Sequence, residues 1–162
     1  MTTVAPSIQV GKCELKARVL QAAIVQQQKV IEDFQNRVNE IMASEATDKD
    51  EYDCHQQSFK SETMTEVSLL TDQLHFTNHE LDELKHIQNY EHECHPVAEY
   101  GTVVKTDKET FFISVGVEQF YVADQSVFGI SVQSPIYRAM KGKKVGDRFS
   151  YNGITYLIEE IF

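Results

Sequence analysis

Leu20-Gln21-Ala22-Ala23-Ile24-Val25-Gln26-Gln27-Gln28-Lys29-Val30-Ile31-Glu32-Asp33-Phe34-Gln35-Asn36-Arg37-Val38-Asn39-Glu40-Ile41 carries its apolar residues in alternating steps of four and three. Leu20, Ile24, Ile31, Phe34, Val38 and Ile41 form a heptad seam, interrupted only by Gln27. A second seam follows at Val67, Leu70, Leu74, Thr77, Leu81, Leu84 and Gln88. Between them, residues 44–60 lose the rhythm, as expected where one helix turns back on another. Two seams in one short chain predict an intramolecular antiparallel hairpin. Facing residues of a hairpin share a nearly constant index sum. Pairing Val38 with Val67, Phe34 with Leu70, Ile31 with Leu74, Ile24 with Leu81 and Leu20 with Leu84 satisfies that rule. Gln27 and Thr77 then share one layer, a polar register lock in an otherwise apolar seam. Half the index sum places the tip close to Tyr52. At ~1.5 Å per residue, roughly 35 residues from Ala17 to the tip span about 50 Å, and a hairpin of that length is expected to project and reach something.

Outside the hairpin the composition changes. Residues 12–93 hold no proline or glycine, whereas the chain after Pro96 is rich in glycine, β-branched residues and aromatics. The expected organisation is a tail over 1–11, a helical hairpin over 12–95 with its acidic tip near 45–55, and a strand-rich domain over 96–162. Within that domain, Ser134 can cap a short helix with Pro135 at its first position. Ile136, Ala139 and Met140 give this helix an apolar side, and Gly142 can end it. Val145-Gly146-Asp147 turns into a strand over 148–151, and Asn152-Gly153 is a strong hairpin signal leading to a strand over 154–161. The fold class expected is α+β.

The chain has 162 residues, 41% of them hydrophobic and 25% charged, which excludes a disordered chain and leaves room for one or two small domains. No apolar run approaches the ~18 residues of a membrane span, and the N-terminus does not resemble a signal peptide, so a cytoplasmic protein without membrane contact is expected. Cys13, Cys54 and Cys94 are too few and too scattered for a disulfide framework. The net charge of −10 lies mostly in the first part: residues 1–97 carry 17 acids against 8 Lys/Arg, and residues 98–162 carry 8 against 7. Such a chain is unsuited to direct contact with phosphate backbones. Contact with nucleic acid is expected only through another protein or a metal ion.

Five carboxylates and one lysine occupy the nine residues from Glu45 to Asp53. A solvated acidic turn is one reading. A metal-presenting tip is the other, since Mg2+ is commonly held by one or two carboxylates completed by water and substrate phosphate. Asp48 and Glu51 are three apart, on one face of a helical turn, as are Glu45 and Asp48. Spacing alone leaves both readings open. The run His92-Glu93-Cys94-His95 lacks the paired motifs of zinc sites. Cys54-His55 lacks a pocket to orient a nucleophile.

The order S-V-x-S-P-I-x-R-A-x-x-G-K-x-x-G-D over Ser131 to Asp147, followed by two closing strands, resembles the C-terminal domain of the Gre transcript-cleavage factors of bacterial RNA polymerase. The layout of a helical hairpin followed by a small sheet domain extends the resemblance over nearly the whole chain. It implies an FKBP-like antiparallel sheet domain that docks on the rim of the polymerase secondary channel, and a coiled coil that enters the channel. It also implies that the chain is no enzyme by itself: acidic tip residues share a Mg2+ with the polymerase, which cuts backtracked RNA. The family's tip, G-D-L-x-E-N-x-E-Y, stands here as T-D-K-D-E-Y-D, and Asp48 with Glu51 reproduces its D-x-x-E spacing. Asp48 and Glu51 are the expected Mg2+ ligands, with Glu45, Asp50 and Asp53 as reserves. Ser134, Pro135, Ile136, Phe120 and Phe128 are the expected polymerase-docking residues, on a monomer. Two alternatives stand beside this reading: a channel-binding regulator of the same fold that does not stimulate cleavage, and an FKBP-like prolyl isomerase.

Overall fold

A computed structural model of the chain describes residues 6–47, 56–90, 93 and 95–162, with side chains over 11–44, 46, 61–90, 93 and 95–162. Two long helices, α1 (Pro6–Thr47) and α2 (Gln56–Gln88), pack together and precede a six-stranded sheet, giving an α+β protein. α1 begins at Pro6 and takes in Gly11, within the stretch assigned to the tail. Proline suits a first helical position, because the N–H it lacks would have no partner there anyway. The chain divides into two compact units, Met1–Gln26 with Asp82–Phe162, and Gln27–Leu81.

In the unit Gln27–Leu81 the two seams face inward. Gln27, Ile31, Ile41, Thr77 and Leu81 are buried, and Phe34, Val38, Val67, Leu70 and Leu74 are half-buried. Gln27 Nε2 donates to Glu80 Oε2 at 2.7 Å, and Arg37 Nη2 donates to Glu66 Oε1 at 3.1 Å. As the index rises along α1 it falls along α2, the mark of an antiparallel pair. The polar layer differs from the expected one in its bonding. Thr77 Oγ1 donates to the Gln73 carbonyl of its own helix at 2.8 Å, so the cross-helix bond runs from Gln27 to Glu80.

In the other unit the heptad rhythm ends at Leu84. Gln88, assigned to the seam by its spacing, is exposed, and Ile87 is buried at 3%. The cause is a change of neighbour. Ile87 Cγ2 lies 3.8 Å from where a Cβ on Gly101 would stand, so the last turn of α2 packs against the sheet domain instead of following the coiled-coil stripe. α1 responds in the same way, burying the wider set Lys16, Val19, Leu20, Ala23 and Ile24. The Lys16 ammonium donates to the Glu93 carbonyl at 2.8 Å, which ties α1 to the segment linking α2 to the sheet.

The strands are β1 (Val103–Thr106), β2 (Thr110–Ser114), β3 (Phe120–Val122), β4 (Gln125–Ser131), β5 (Arg148–Tyr151) and β6 (Ile154–Ile161), ordered β3-β4-β2-β1-β6-β5. β5 and β6 occupy the ranges expected from sequence, joined through Asn152 and Gly153 at φ 51° and 78°, the paired positive angles of a type I′ turn. The sheet is mostly, not wholly, antiparallel: β2 and β4 run parallel from Thr110↔Val127 to Ser114↔Ser131. After β2 the chain travels to the sheet edge as β3, reverses at Ala123-Asp124, and returns as β4 between β3 and β2, which forces β4 into the direction of β2. The layout is consistent with an FKBP-like sheet. Gly129 in β4 is required by packing, because a Cβ there would stand 2.6 Å from Val117 Cβ and 2.9 Å from Val117 N.

One face of the sheet and the short helix α3 (Pro135–Met140) enclose a core of Val104, Phe111, Ile113, Ile130, Tyr137, Met140, Phe149, Tyr156, Ile158 and Ile161. Phe149 and Tyr156 stack at 4.9 Å, and Phe111 meets Tyr156 edge-on at 5.8 Å, geometries that aromatic quadrupoles favour. The residues alternating with these, such as Val103, Phe112 and Val127, are buried on the opposite face.

Candidate functional site

α3 carries the motif on which the family resemblance rests, and its local construction follows from its sequence. Ser134, extended at φ −65° and ψ 145°, accepts the Tyr137 N–H on its Oγ at 3.3 Å, while Pro135 takes the first helical position. The Ser134 N–H donates to the Ser131 carbonyl at 3.0 Å, so the strand β4 leads into the cap without slack. At the other end the chain passes through Gly142 at φ 73°, whose N–H donates to the Ala98 carbonyl at 2.9 Å. Asp147 Oδ2 then accepts the Lys144 N–H at 2.8 Å, and the Gly146 N–H donates to the Ile158 carbonyl at 2.8 Å. Ser134, Pro135, Gly142, Gly146 and Asp147 therefore each have a backbone role. Together they hold the 131–147 segment as one rigid corner.

The structure places the expected docking residues unequally. Pro135 is exposed, and Ser134 and Ile136 are half-buried. Ile136 and Phe128 both pack on the core enclosed by α3, with the Phe128 ring 6.3 Å from that of Phe111. Phe120 stands apart from them. It is 5% exposed on β3 and lines a groove beside α1, so it offers little surface to a partner. Tyr137 is the residue that the sequence reading missed on α3. It is buried at 6%, while Ile136 and Ala139 are half-buried; a tyrosine can place its ring in a core and keep its hydroxyl near the rim.

The expected Mg2+ residues Asp48 and Glu51, and the reserves Asp50 and Asp53, lie outside the described residues, as does the Glu45 side chain. Among the described residues no group of three or more His, Cys, Asp or Glu side chains is placed to hold a metal ion. His95 is instead engaged with carboxylates, Nδ1 at 2.6 Å from Glu99 Oε1 and Nε2 at 3.6 Å from Glu93 Oε2. No described helix is long and apolar enough to cross a membrane.

Asp107 and Tyr100 are two titratable groups of the domain that depart from their ordinary values. Asp107 accepts the Leu157 N–H on Oδ1 at 2.8 Å and pairs with the Lys108 ammonium at 3.0 Å; these contacts hold its carboxyl below the usual aspartate range. Tyr100 is pushed up by partial burial and by the nearby Glu83 carboxylate.

The fold and this corner define an α+β protein with two long packed helices ahead of a mostly antiparallel sheet. Compared with protein-family models and with curated proteins, the chain matches none.

Proposed function

We propose that this chain is a transcription elongation factor that binds bacterial RNA polymerase and stimulates cleavage of backtracked RNA by the polymerase. The coiled coil enters the secondary channel, and the sheet domain docks on the channel rim through Ser134, Pro135, Ile136 and Phe128. Asp48 and Glu51 would hold part of the shell of a Mg2+ shared with the polymerase, and the ion would supply charge stabilisation to the displacement. The catalytic centre belongs to the polymerase, and the factor is an accessory. It works in the cytoplasm as a monomer and meets nucleic acid only in that complex.

One observation carries this reading. Ser134, Pro135, Gly142, Gly146 and Asp147 of the S-V-x-S-P-I-x-R-A-x-x-G-K-x-x-G-D resemblance have distinct backbone tasks in one corner, and that corner follows a pair of long packed helices in the chain. A prolyl isomerase would need an open aromatic pocket. Here Phe111, Phe149, Tyr156 and Tyr137 are buried against each other and α3. A second reading, a channel-binding regulator that does not stimulate cleavage, is favoured by the tip sequence itself, which lacks the glycine, leucine and asparagine of the family pattern.

The test is cleavage of RNA in purified, stalled, backtracked bacterial polymerase with Mg2+. The factor should speed release of a short 3′ fragment. Replacing both Asp48 and Glu51 by Ala should reduce that acceleration to background while polymerase binding persists. Unchanged cleavage by the double variant would sink the metal assignment. No acceleration by the native chain, coupled with inhibition of a Gre factor added in competition, would select the non-cleaving regulator.

A further inference from the structure

The sheet has an edge that its own ladder leaves open. β3 is the first strand in the order and, among the described residues, pairs only with β4, through Phe120↔Val127, Tyr121↔Ser126 and Val122↔Gln125. Val122 and Gln125 flank a two-residue turn at Ala123 and Asp124, both at positive φ, so they form a hydrogen-bonded pair. Bonded and non-bonded pairs alternate along an antiparallel ladder. Tyr121 is therefore non-bonded towards β4, and its N–H and C=O face the open edge. Its side chain is 67% exposed.

Beside this edge lies a groove of about 560 Å³, walled on one side by β3 and on the other by the α1 face carrying Arg18, Gln21 and Val25. This volume falls within the ~300–1,000 Å³ of ligand sites. The groove's character is mixed. Val25, exposed at 54%, supplies apolar surface, Gln21 supplies an amide, and Arg18 is the one charged residue of the lining. Among the described residues Arg18 makes no ion pair, a state it shares with other surface cations such as Arg138 and Arg148, and it is distinguished by its place in the groove. Glu118 and Asp124 flank β3 in sequence but lie outside the lining.

We infer that this groove binds an extended segment of a partner protein, added as a short strand to β3, with a central Asp or Glu on Arg18 and an apolar side chain over Val25. Main-chain bonding to Tyr121 supplies the register, and the arginine–carboxylate pair supplies the choice of side chain. A second copy of this chain is a poorer occupant, since its own β3 offers Phe120, Tyr121 and Val122 and no acid within the strand to meet Arg18, Glu118 and Asp124 lying beyond the strand's ends. The unit holding the groove is nearly neutral, with 13 acids against 11 Lys/Arg over residues 1–26 and 82–162. Repulsion of an acidic segment from within that unit is therefore small against the −10 of the whole chain, and the Arg18 pair acts at contact distance.

The probe is the blocked peptide acetyl-Val-Thr-Glu-Thr-Val-amide, whose Val and Glu side chains share one face of an extended strand, titrated at millimolar concentrations into the ¹⁵N-labelled full chain. Saturable shifts at the Tyr121 and Val122 amides and the Arg18 side chain are expected, with slowed hydrogen exchange at Tyr121. The same peptide with Lys replacing Glu should bind at least about ten-fold more weakly. Arg18→Glu should invert that preference, and circular dichroism should show an unchanged fold, as Arg18 is exposed. Equal binding of both peptides, shifts confined to other strands, no saturable shift, or concentration-dependent dimerisation through β3 would each overturn the proposal.

Discussion

At the scale of single residues, two positions carry more constraint than their side chains suggest. Gly129 has a negative φ that any residue could adopt, so its requirement is steric: the loop through Val117 passes where a methyl group would sit. Gly129→Ala should destabilise the protein by about 2 kcal/mol in urea denaturation, because β4 lies inside the sheet and cannot yield without disturbing β2 or β3. Asp107 works through charge. Its folded carboxyl titrates below the ordinary aspartate value of about 4, chiefly through the Leu157 N–H and then through Lys108. A lowered folded pKa gives stability that is present above the unfolded value and lost as pH falls through the folded one. Asp107→Asn should therefore flatten the acid limb of the stability–pH curve below about pH 4 and leave its shape above pH 6 unchanged. An acid limb identical to that of the native chain would exclude this contribution.

At the scale of elements, α2 changes its packing partner along its length. Up to Leu84 its buried residues follow the heptad, and one turn later burial passes to Ile87. Ile87→Ala should cost about 3 kcal/mol, the penalty of a large-to-small change in a packed site. Gln88→Ala should stay within about 0.5 kcal/mol, as expected at an exposed position. Thermal denaturation of both variants checks the assignment, and the reverse ranking would restore the strict heptad. The hydrogen bond from Gln27 to Glu80 belongs to the same scale. A buried amide that must find a partner penalises slipped registers, in which an apolar residue would face it.

At the scale of the whole molecule, the proposed function separates docking from chemistry. Pro135 is exposed at the start of α3, and its loss removes no hydrogen bond. Pro135→Asp should weaken polymerase binding in a pull-down at least about ten-fold, with little change in thermal stability. The Asp48/Glu51 double alanine variant should show the reverse pattern, binding without cleavage. A Pro135→Asp chain that binds and stimulates normally would remove α3 from the docking surface.

Local signals made much of this protein legible from its sequence. Heptad spacing predicts the two packed helices, Ser134-Pro135 with Gly142 predicts α3, and Asn152-Gly153 predicts the β5–β6 hairpin, because each depends on residues within a turn or two of one another. The β3–β4 turn is hidden, since Ala123-Asp124 adopts positive φ without the glycine or asparagine that usually marks it. The parallel pairing of β2 with β4, the burial of Ile87 in place of Gln88, and the gathering of Arg18 and Tyr121 around one groove were decided by tertiary structure. Each depends on which surfaces, distant in sequence, exclude water from one another, and no local period records that choice.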